Sequence, residues 1–156
     1  MKELTPETMA AYLAGIIDGE GSISFGCLDY RKGHSNVRIT VNNTSPELIL
    51  RLNLWWPDSR FSPKPKRTGY RQSWIWNVRA GSHVRFLKFI LPYLCIKRSQ
   101  AKLAILYYQR CSIQSGIIKK LTDAEIKKRS VFIRLMHKLN HPVKDTKCPT
   151  QLMKNR

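Results

Sequence analysis

The stretch from Leu13 to Gly21, with the sequence LAGIIDGEG, constrains most strongly what this chain can fold into. Counting back in fours from Gly19 gives Gly15 and then Ala11, so three small residues share one stripe of a helix, and the larger apolar residues fall on other faces. Small residues let two backbones approach closely. The stretch therefore predicts a helix suited to packing closely against another helix.

The two ends of this helix are marked by local sequence signals. Thr5 is placed to cap the N-terminus, Pro6 fits the first helical position, and Glu7 lies in the first turn, where acidic residues are favoured. Gly19 and Gly21 are expected to end the helix. The sequence thus predicts a helix that begins near residue 6 and ends near residue 19.

Glu20 lies just past the predicted helix end. The negative end of the helix dipole disfavours a carboxylate there by roughly 0.3–1 kcal/mol, so this position calls for a compensating cation, and a bound metal ion would meet that need. Asp18 lies inside the helix end, where we expect it to hydrogen-bond locally or across a dimer and not to bind metal.

The composition indicates one domain with a polyanionic partner. A chain of 156 residues fits a single domain, which we assign to residues 1–141, followed by a basic tail at 142–156. There are 28 lysines and arginines against 10 acidic residues, a formal charge of +18. Because the basic residues are spread along the chain and not confined to a tail, nucleic acid is the first candidate partner.

The cysteine pattern and the hydropathy suggest a compartment. The four cysteines, Cys27, Cys95, Cys111 and Cys148, show no CxxC spacing, so we expect free thiols in a reducing intracellular compartment, either an organelle or a prokaryotic cytoplasm. No apolar run approaches 18 residues, so we expect no membrane span and no membrane partner.

The first half of the chain predicts a helix, a hairpin and a second helix. Ser22 to Tyr30 and Asn36 to Asn43 alternate apolar and polar residues, which is typical of two half-buried strands. Ser45 and Pro46 then start a second helix, which Pro57 ends.

The same order recurs in the second half. Pro63 and Pro65 make 60–67 a weaker strand that belongs at a sheet edge, whereas 71–79 is a stronger one, with Trp74 and Trp76 expected in the core. Further helices are predicted over 82–94, 98–115 and, behind the capping-box pattern Thr122-Asp-Ala-Glu125, up to about 141.

The quoted motif LAGIIDGEG resembles the signature of the LAGLIDADG homing endonucleases. The segment Pro92 to Leu103 and the order αββαββα resemble that family too. The resemblance implies an α+β fold with an αββαββα core, an antiparallel DNA-binding sheet and additional C-terminal helices. Since one motif is present and the family needs two, it also implies a homodimer whose interface contains Ala11, Gly15 and Gly19.

In that family the last acidic residue of the motif binds a divalent metal at the scissile phosphate. Carried over, this residue is Glu20, with the Gly19 carbonyl as an added ligand for Mg²⁺, or for Mn²⁺ or Ca²⁺ in the same sites. Lys97 matches a basic catalytic residue near the active-site water, and Asn43 matches a polar residue that positions water. The alternatives are a solvated lysine and a turn asparagine. Glu47 occupies a position where some members of the family carry a basic residue.

The outward strand faces supply the expected DNA contacts, which a two-stranded ribbon would present to the major groove. The alternative is a merely solvated sheet face. The candidate contact residues are Ser22, Ser24, Tyr30, Arg38, Thr40, Lys64, Lys66, Arg71, Ser73, Ile75 and Asn77.

The resemblance implies an intron-encoded, metal-dependent endonuclease. Its expected reaction is hydrolysis of both strands of a long, pseudo-palindromic duplex to give staggered ends. The alternative is an RNA-binding maturase that assists splicing of intron RNA on the same scaffold. A third hypothesis, a DNA-binding regulator with a silent site, is disfavoured because the motif acid is intact.

Overall fold

The computed structural model describes residues 5–29, 34–66, 68–111 and 121–141. The predictions for Tyr30, for Cys148 and the tail from 142 onwards, and for the stretch 112–115 lie outside these residues. No helix in the described ranges combines the length and apolar character that crossing a bilayer requires.

The described residues form five α-helices and four strands in the order αββαββααα. The helices are α1 (Pro6–Gly19), α2 (Pro46–Trp55), α3 (His83–Ile90), α4 (Arg98–Arg110) and α5 (Asp123–Asn140). The strands are β1 (Gly21–Asp29), β2 (His34–Asn43), β3 (Ser59–Pro63) and β4 (Trp74–Val78). Two 3₁₀ turns, Ala80–Ser82 and Leu91–Tyr93, flank α3. The predicted α+β class and the αββαββα core with added C-terminal helices are confirmed.

The four strands form one antiparallel sheet in the order β1-β2-β4-β3. The predicted hairpin is β1 paired with β2, and β3 lies at an edge, as its proline content predicted, since proline has no N–H to donate to a neighbouring strand. The regular ladder between β3 and β4 is shorter than predicted. Beyond it, the Lys64 N–H still donates to the Ser73 carbonyl at 2.9 Å, and Gln72 Nε2 donates to the Lys64 carbonyl at 2.8 Å.

Hydroxyl side chains cap three helices where the sequence predicted it. Thr5 Oγ1 accepts the Thr8 N–H, Ser45 Oγ accepts the Leu48 N–H and Thr122 Oγ1 accepts the Glu125 N–H, each at 3.3 Å. These contacts satisfy N–H groups that have no partner within the helix.

Two predicted helix ends shift. Pro92 falls in the 3₁₀ turn after α3, which ends at Ile90, because proline cannot continue the α-helical hydrogen bonding. α4 ends at Arg110, since Cys111 has an extended backbone with ψ of 133°.

The helices cover one face of the sheet, and the core lies between them. Strand residues Ile23, Val41 and Trp76 are fully buried there with α1 residues Leu13 and Ile17. Trp76 lies 5.7 Å from Phe86 of α3, ring centre to ring centre. The core assignment of Trp76 is therefore confirmed, and none of the five described helices covers the opposite face of the sheet.

Candidate active site and nucleic-acid interface

Glu20 lies at the junction of α1 and β1. Its N–H donates to the Ile16 carbonyl at 2.8 Å, and the strand begins at the next residue. A Cβ on Gly21 would lie 2.7 Å from Ile17 Cα, so only glycine allows the chain to turn back so tightly. The Glu20 side chain is exposed and makes no hydrogen bond or ion pair with the residues that the structure describes. The motif therefore presents a free carboxylate at a fixed point.

The Lys97 ammonium lies at the C-terminal end of α1, the helix that precedes Glu20. Lys97 Nζ donates a hydrogen bond to the carbonyl oxygen of Asp18, one of the last carbonyls of α1. α1 has no basic residue in its own last turn. Lys97 therefore supplies, from a distant part of the chain, a cation that the negative helix end favours. The predicted source of this cation was a bound metal ion, whereas the structure supplies a lysine.

Asp18 holds the segment that carries Lys97. Asp18 Oδ2 accepts the N–H groups of Cys95 at 2.7 Å and Ile96 at 3.1 Å, and Oδ1 accepts the N–H of Lys97 at 2.8 Å. The expected local or cross-dimer contact is not what the structure shows, since these partners lie 77 to 79 residues later in the same chain. Partial burial raises the pKa of Asp18, but the three N–H groups and the Lys97 charge outweigh it, and the net pKa is lowered.

Asn43 lies at the end of β2, two residues beyond Val41, the partner of Gly21. Its Oδ1 accepts the Ser45 N–H at 2.8 Å, so the oxygen is engaged in the turn that leads into α2. The turn-asparagine interpretation therefore describes the oxygen, and the amide nitrogen makes no hydrogen bond to the residues that the structure describes. Glu47 is exposed in the first turn of α2, where the helix dipole favours an acid.

The free face of the sheet carries polar and basic side chains in rows that the strand register defines. One row runs Ser22, Thr40, Asn77, Arg60, a second runs Asn42, Ile75, Ser62, and Ser24 pairs with Arg38. No acidic residue belongs to these rows. The arrangement is that expected of a surface that contacts the edges and phosphates of a duplex.

Three residues of this face were missing from the sequence prediction. Arg60, Ser62 and Asn42 are exposed and alternate with core residues, for example with buried Ser59. The same alternation that selected Arg38 and Thr40 could have found them.

The remaining predicted contacts lie at the rim. Lys64 and Ser73 face each other beyond the regular ladder, and Lys66 and Arg71 are exposed on either side of Gly69, whose φ is 82°.

The small-residue stripe of α1 is exposed. Ala11, Gly15 and Gly19 face solvent, and a Cβ built on either glycine would meet nothing within 4 Å in the described part of the chain. One chain therefore leaves an open strip along α1 that another helix could occupy at close range.

The described residues alone do not build a metal site, because they contain no cluster of three or more His, Cys, Asp and Glu side chains able to hold an ion. A metal at Glu20 would have to draw further ligands from outside this chain. The donors present nevertheless suit a hard cation, since the Glu20 carboxylate is free and Gly19 is the last residue of α1, so that its carbonyl has no later helical N–H donor.

The motif helix, the antiparallel sheet with one free face and the C-terminal helices together define the fold of the LAGLIDADG homing endonucleases. Two solved complexes of the homing endonuclease I-CvuI share it. With its own target and 2 mM Ca, I-CvuI aligns at a TM-score of 0.65 and 21% identity, covering 96% of this chain and 92% of that one. With the I-CreI target and 2 mM Mg, in which the DNA is not cleaved, it aligns at 0.64 and 22% with the same coverage.

The archaeal intron-encoded homing endonuclease I-Vdi141I, complexed with DNA, also aligns. Its TM-score is 0.64 at 12% identity, covering 93% of this chain and 92% of that one. No family model and no curated protein matches the sequence. At these identities the likeness establishes the fold.

Proposed function

We propose that this chain is a site-specific DNA endonuclease that acts as a homodimer with divalent metal ions. It hydrolyses both strands of a long, pseudo-palindromic duplex and leaves staggered ends. The observation that carries the proposal is the free, exposed Glu20 carboxylate, which Gly21 fixes at the end of the motif helix, where the Asp18 carbonyl accepts the Lys97 ammonium.

The free sheet face supports the DNA-binding part of the proposal. Arg38 and Arg60 offer bidentate donors suited to guanine or phosphate, and Asn77 and Asn42 suit adenine. The formal charge of +18 adds attraction to the duplex that does not depend on sequence. Binding should therefore combine base contacts from the sheet with strong salt dependence.

The donor set supports a magnesium-type site. Glu20 and the Gly19 carbonyl would hold the ion, with Mn²⁺ or Ca²⁺ as substitutes, and a second Glu20 and DNA phosphates would complete its ligands. When bound, the metal supplies an activated water and neutralises charge on the phosphate.

Lys97 and Asn43 complete the proposed site. Lys97 holds its positive charge at the end of α1, where it stabilises negative charge that develops on the phosphate. The amide nitrogen of Asn43 remains available to orient a water molecule, since its oxygen is taken by Ser45.

The exposed stripe of α1 supports the homodimer. Packing Ala11, Gly15 and Gly19 against the same residues of a second copy would bring two Glu20 carboxylates together at the helix ends. A two-fold symmetric dimer reads half-sites related by the same axis, which accounts for a pseudo-palindromic target.

The decisive experiment replaces Glu20 with Gln. The probe is a duplex that joins the sequences flanking the intron that carries the gene, because an intron-borne nuclease recognises the site its intron interrupts. We expect Glu20→Gln to retain duplex binding and to lose cleavage in Mg²⁺. Asp123→Asn, which removes an exposed carboxylate from the first turn of α5, is the matched control and should cleave normally. Cleavage by Glu20→Gln at the wild-type rate would refute the proposal, and preferential retention of intron RNA over duplex in filter binding would favour the maturase.

A further inference from the structure

Asp18 makes every hydrogen bond that the described structure shows to the backbone N–H groups of 95–97. Its two carboxylate oxygens accept the N–H groups of Cys95, Ile96 and Lys97 at 2.7, 3.1 and 2.8 Å. Its own carbonyl oxygen accepts the Lys97 ammonium. One residue therefore holds both the main chain and the side-chain end of Lys97.

Packing contributes little to the position of this segment. Cys95 is exposed and Ile96 is 73% exposed, although Leu94 before them and Ala101 after them are buried. Hydrogen bonds to a charged acceptor are roughly twice as strong as neutral ones. The carboxylate thus sets where the segment lies between the 3₁₀ turn and α4.

We propose that Asp18 is a positioning residue for Lys97 and acts on DNA cleavage through it. A free lysine side chain loses roughly 2 kcal/mol of rotamer entropy when it is fixed, so a site that needs its ammonium at one point benefits from anchoring the backbone as well. This inference rests on the proposed endonuclease function.

The geometry requires a carboxylate at position 18. Oδ2 takes two N–H groups and Oδ1 takes the third, so both oxygens must accept. An asparagine has one acceptor oxygen, and its NH₂ would face an N–H donor. Asp18→Asn should therefore release part of the segment while changing few atoms.

The test is a double-mutant cycle with Asp18→Asn and Lys97→Met, read as the single-turnover cleavage rate at saturating duplex, with the duplex used for Glu20. Lys97→Met should lower the rate by about 10²-fold, as the loss of one charge-stabilising donor does. Asp18→Asn alone should lower it by about tenfold or more, but by less than about twofold when Lys97→Met is already present, because residues that act as a unit are non-additive.

Several outcomes would overturn the inference. If Asp18→Asn slows cleavage by the same factor with and without Lys97→Met, Asp18 does not act through Lys97 and its role is structural. If Lys97→Met leaves the cleavage rate unchanged, Lys97 does not contribute to cleavage, and Asp18 cannot act through it. If the wild-type protein binds the duplex but does not cleave it, the proposed endonuclease function fails as well. That failure is recognised from the wild-type protein alone, in the assay that compares it with Glu20→Gln. Thermal unfolding fixes an assay temperature at which all variants are folded, and Asp18→Glu replaces Asp18→Asn if the latter does not fold.

Discussion

Lys97 and Asp18 bind each other through their backbones and side chains at the C-terminal end of α1. The Lys97 N–H donates to Asp18 Oδ1 at 2.8 Å, and the Lys97 ammonium donates to the Asp18 carbonyl. This pair ties the start of α4 to the end of the motif helix. As a result, a cation and the free Glu20 carboxylate occupy the same end of one helix, which is the arrangement that hydrolysis of a phosphodiester would need.

Gly21 should be intolerant of substitution. In Gly21→Ala the new Cβ would lie 2.7 Å from Ile17 Cα and 2.8 Å from its carbonyl oxygen, which are backbone atoms that cannot rotate away. We expect the free energy of unfolding to fall by about 1–3 kcal/mol, measured by urea denaturation. Gly81→Ala, whose Cβ meets nothing within 4 Å, is the control and should change stability by no more than about 0.5 kcal/mol. Equal effects of the two substitutions would contradict this account of the α1–β1 turn.

Gly15 should show opposite effects on the single chain and on the dimer. A Cβ at Gly15 meets nothing within 4 Å, and alanine is favoured over glycine inside a helix by roughly 0.5–1 kcal/mol. Gly15→Ala should therefore not impair folding of one chain, yet it should hold two α1 helices apart. We expect sedimentation equilibrium to show a dimer dissociation constant raised at least about tenfold. An unchanged or lower constant would place the dimer contact elsewhere.

The elements that follow from local sequence were predictable, because their causes are local. The cap at Thr5, the proline at the first position of α2 and the alternation around Val41 each act within a few residues. At Asn43 the predicted turn contact is present, since its oxygen accepts the Ser45 N–H two residues on, and the catalytic role that the resemblance implies for its amide stays a prediction. The strand ladder of β3 and β4 was overestimated because its prolines interrupt regular pairing.

The contact of Asp18 with the segment 95–97 had no signal in the sequence. It joins residues 77 to 79 positions apart, and neither an aspartate at a helix end nor a lysine before a helix specifies such a partner. Only the packing of α1 against the region around α3 brings the two together. This explains why Glu20 could be singled out from its motif while the role of Asp18 required the fold.

His83 should make stability depend on pH below its ordinary pKa of 6.5. His83 is buried, its Nε2 lies 2.9 Å from the Val78 carbonyl and its Nδ1 lies 2.6 Å from the Tyr108 hydroxyl. Since the carbonyl can only accept, Nε2 carries the proton, and neutral His83 accepts from Tyr108. Burial lowers the pKa of His83 below its ordinary 6.5, more than the Val78 hydrogen bond raises it.

The sign of the pH effect follows from linkage. Below pH 6.5 the unfolded chain binds a proton that the folded chain resists, so the free energy of unfolding falls as the pH is lowered through this range, by at most about 1.4 kcal/mol per pH unit. Asp18 and Glu125 also have lowered pKa values, but they change the free energy of unfolding only below their ordinary pKa values of 3.8 and 4.5. Urea denaturation at pH 7.5 and 5.5 measures the effect. His83→Gln should reduce this pH dependence, and an equally steep dependence in that variant would assign it to other groups.

Arg60 should contribute to DNA binding although the sequence analysis did not select it. The register places it in one row with Asn77, Thr40 and Ser22 on the face of the sheet that the helices leave free. If its guanidinium neutralises one phosphate, Arg60→Gln should lower the slope of log K against log salt by about 1, because one fewer counterion is released on binding. Fluorescence anisotropy with a labelled duplex, titrated at several salt concentrations, measures this slope.

Lys88→Gln provides the matched control for Arg60→Gln. Lys88 is exposed on α3, and Phe86 of the same helix packs against Trp76 on the opposite face of the sheet. Each variant removes one positive charge, so long-range attraction to the duplex weakens equally in both, and any larger effect of Arg60→Gln reports a direct contact. Two indistinguishable slopes would mean that Arg60 makes no phosphate contact, which would exclude this position of β3 from the DNA-binding surface.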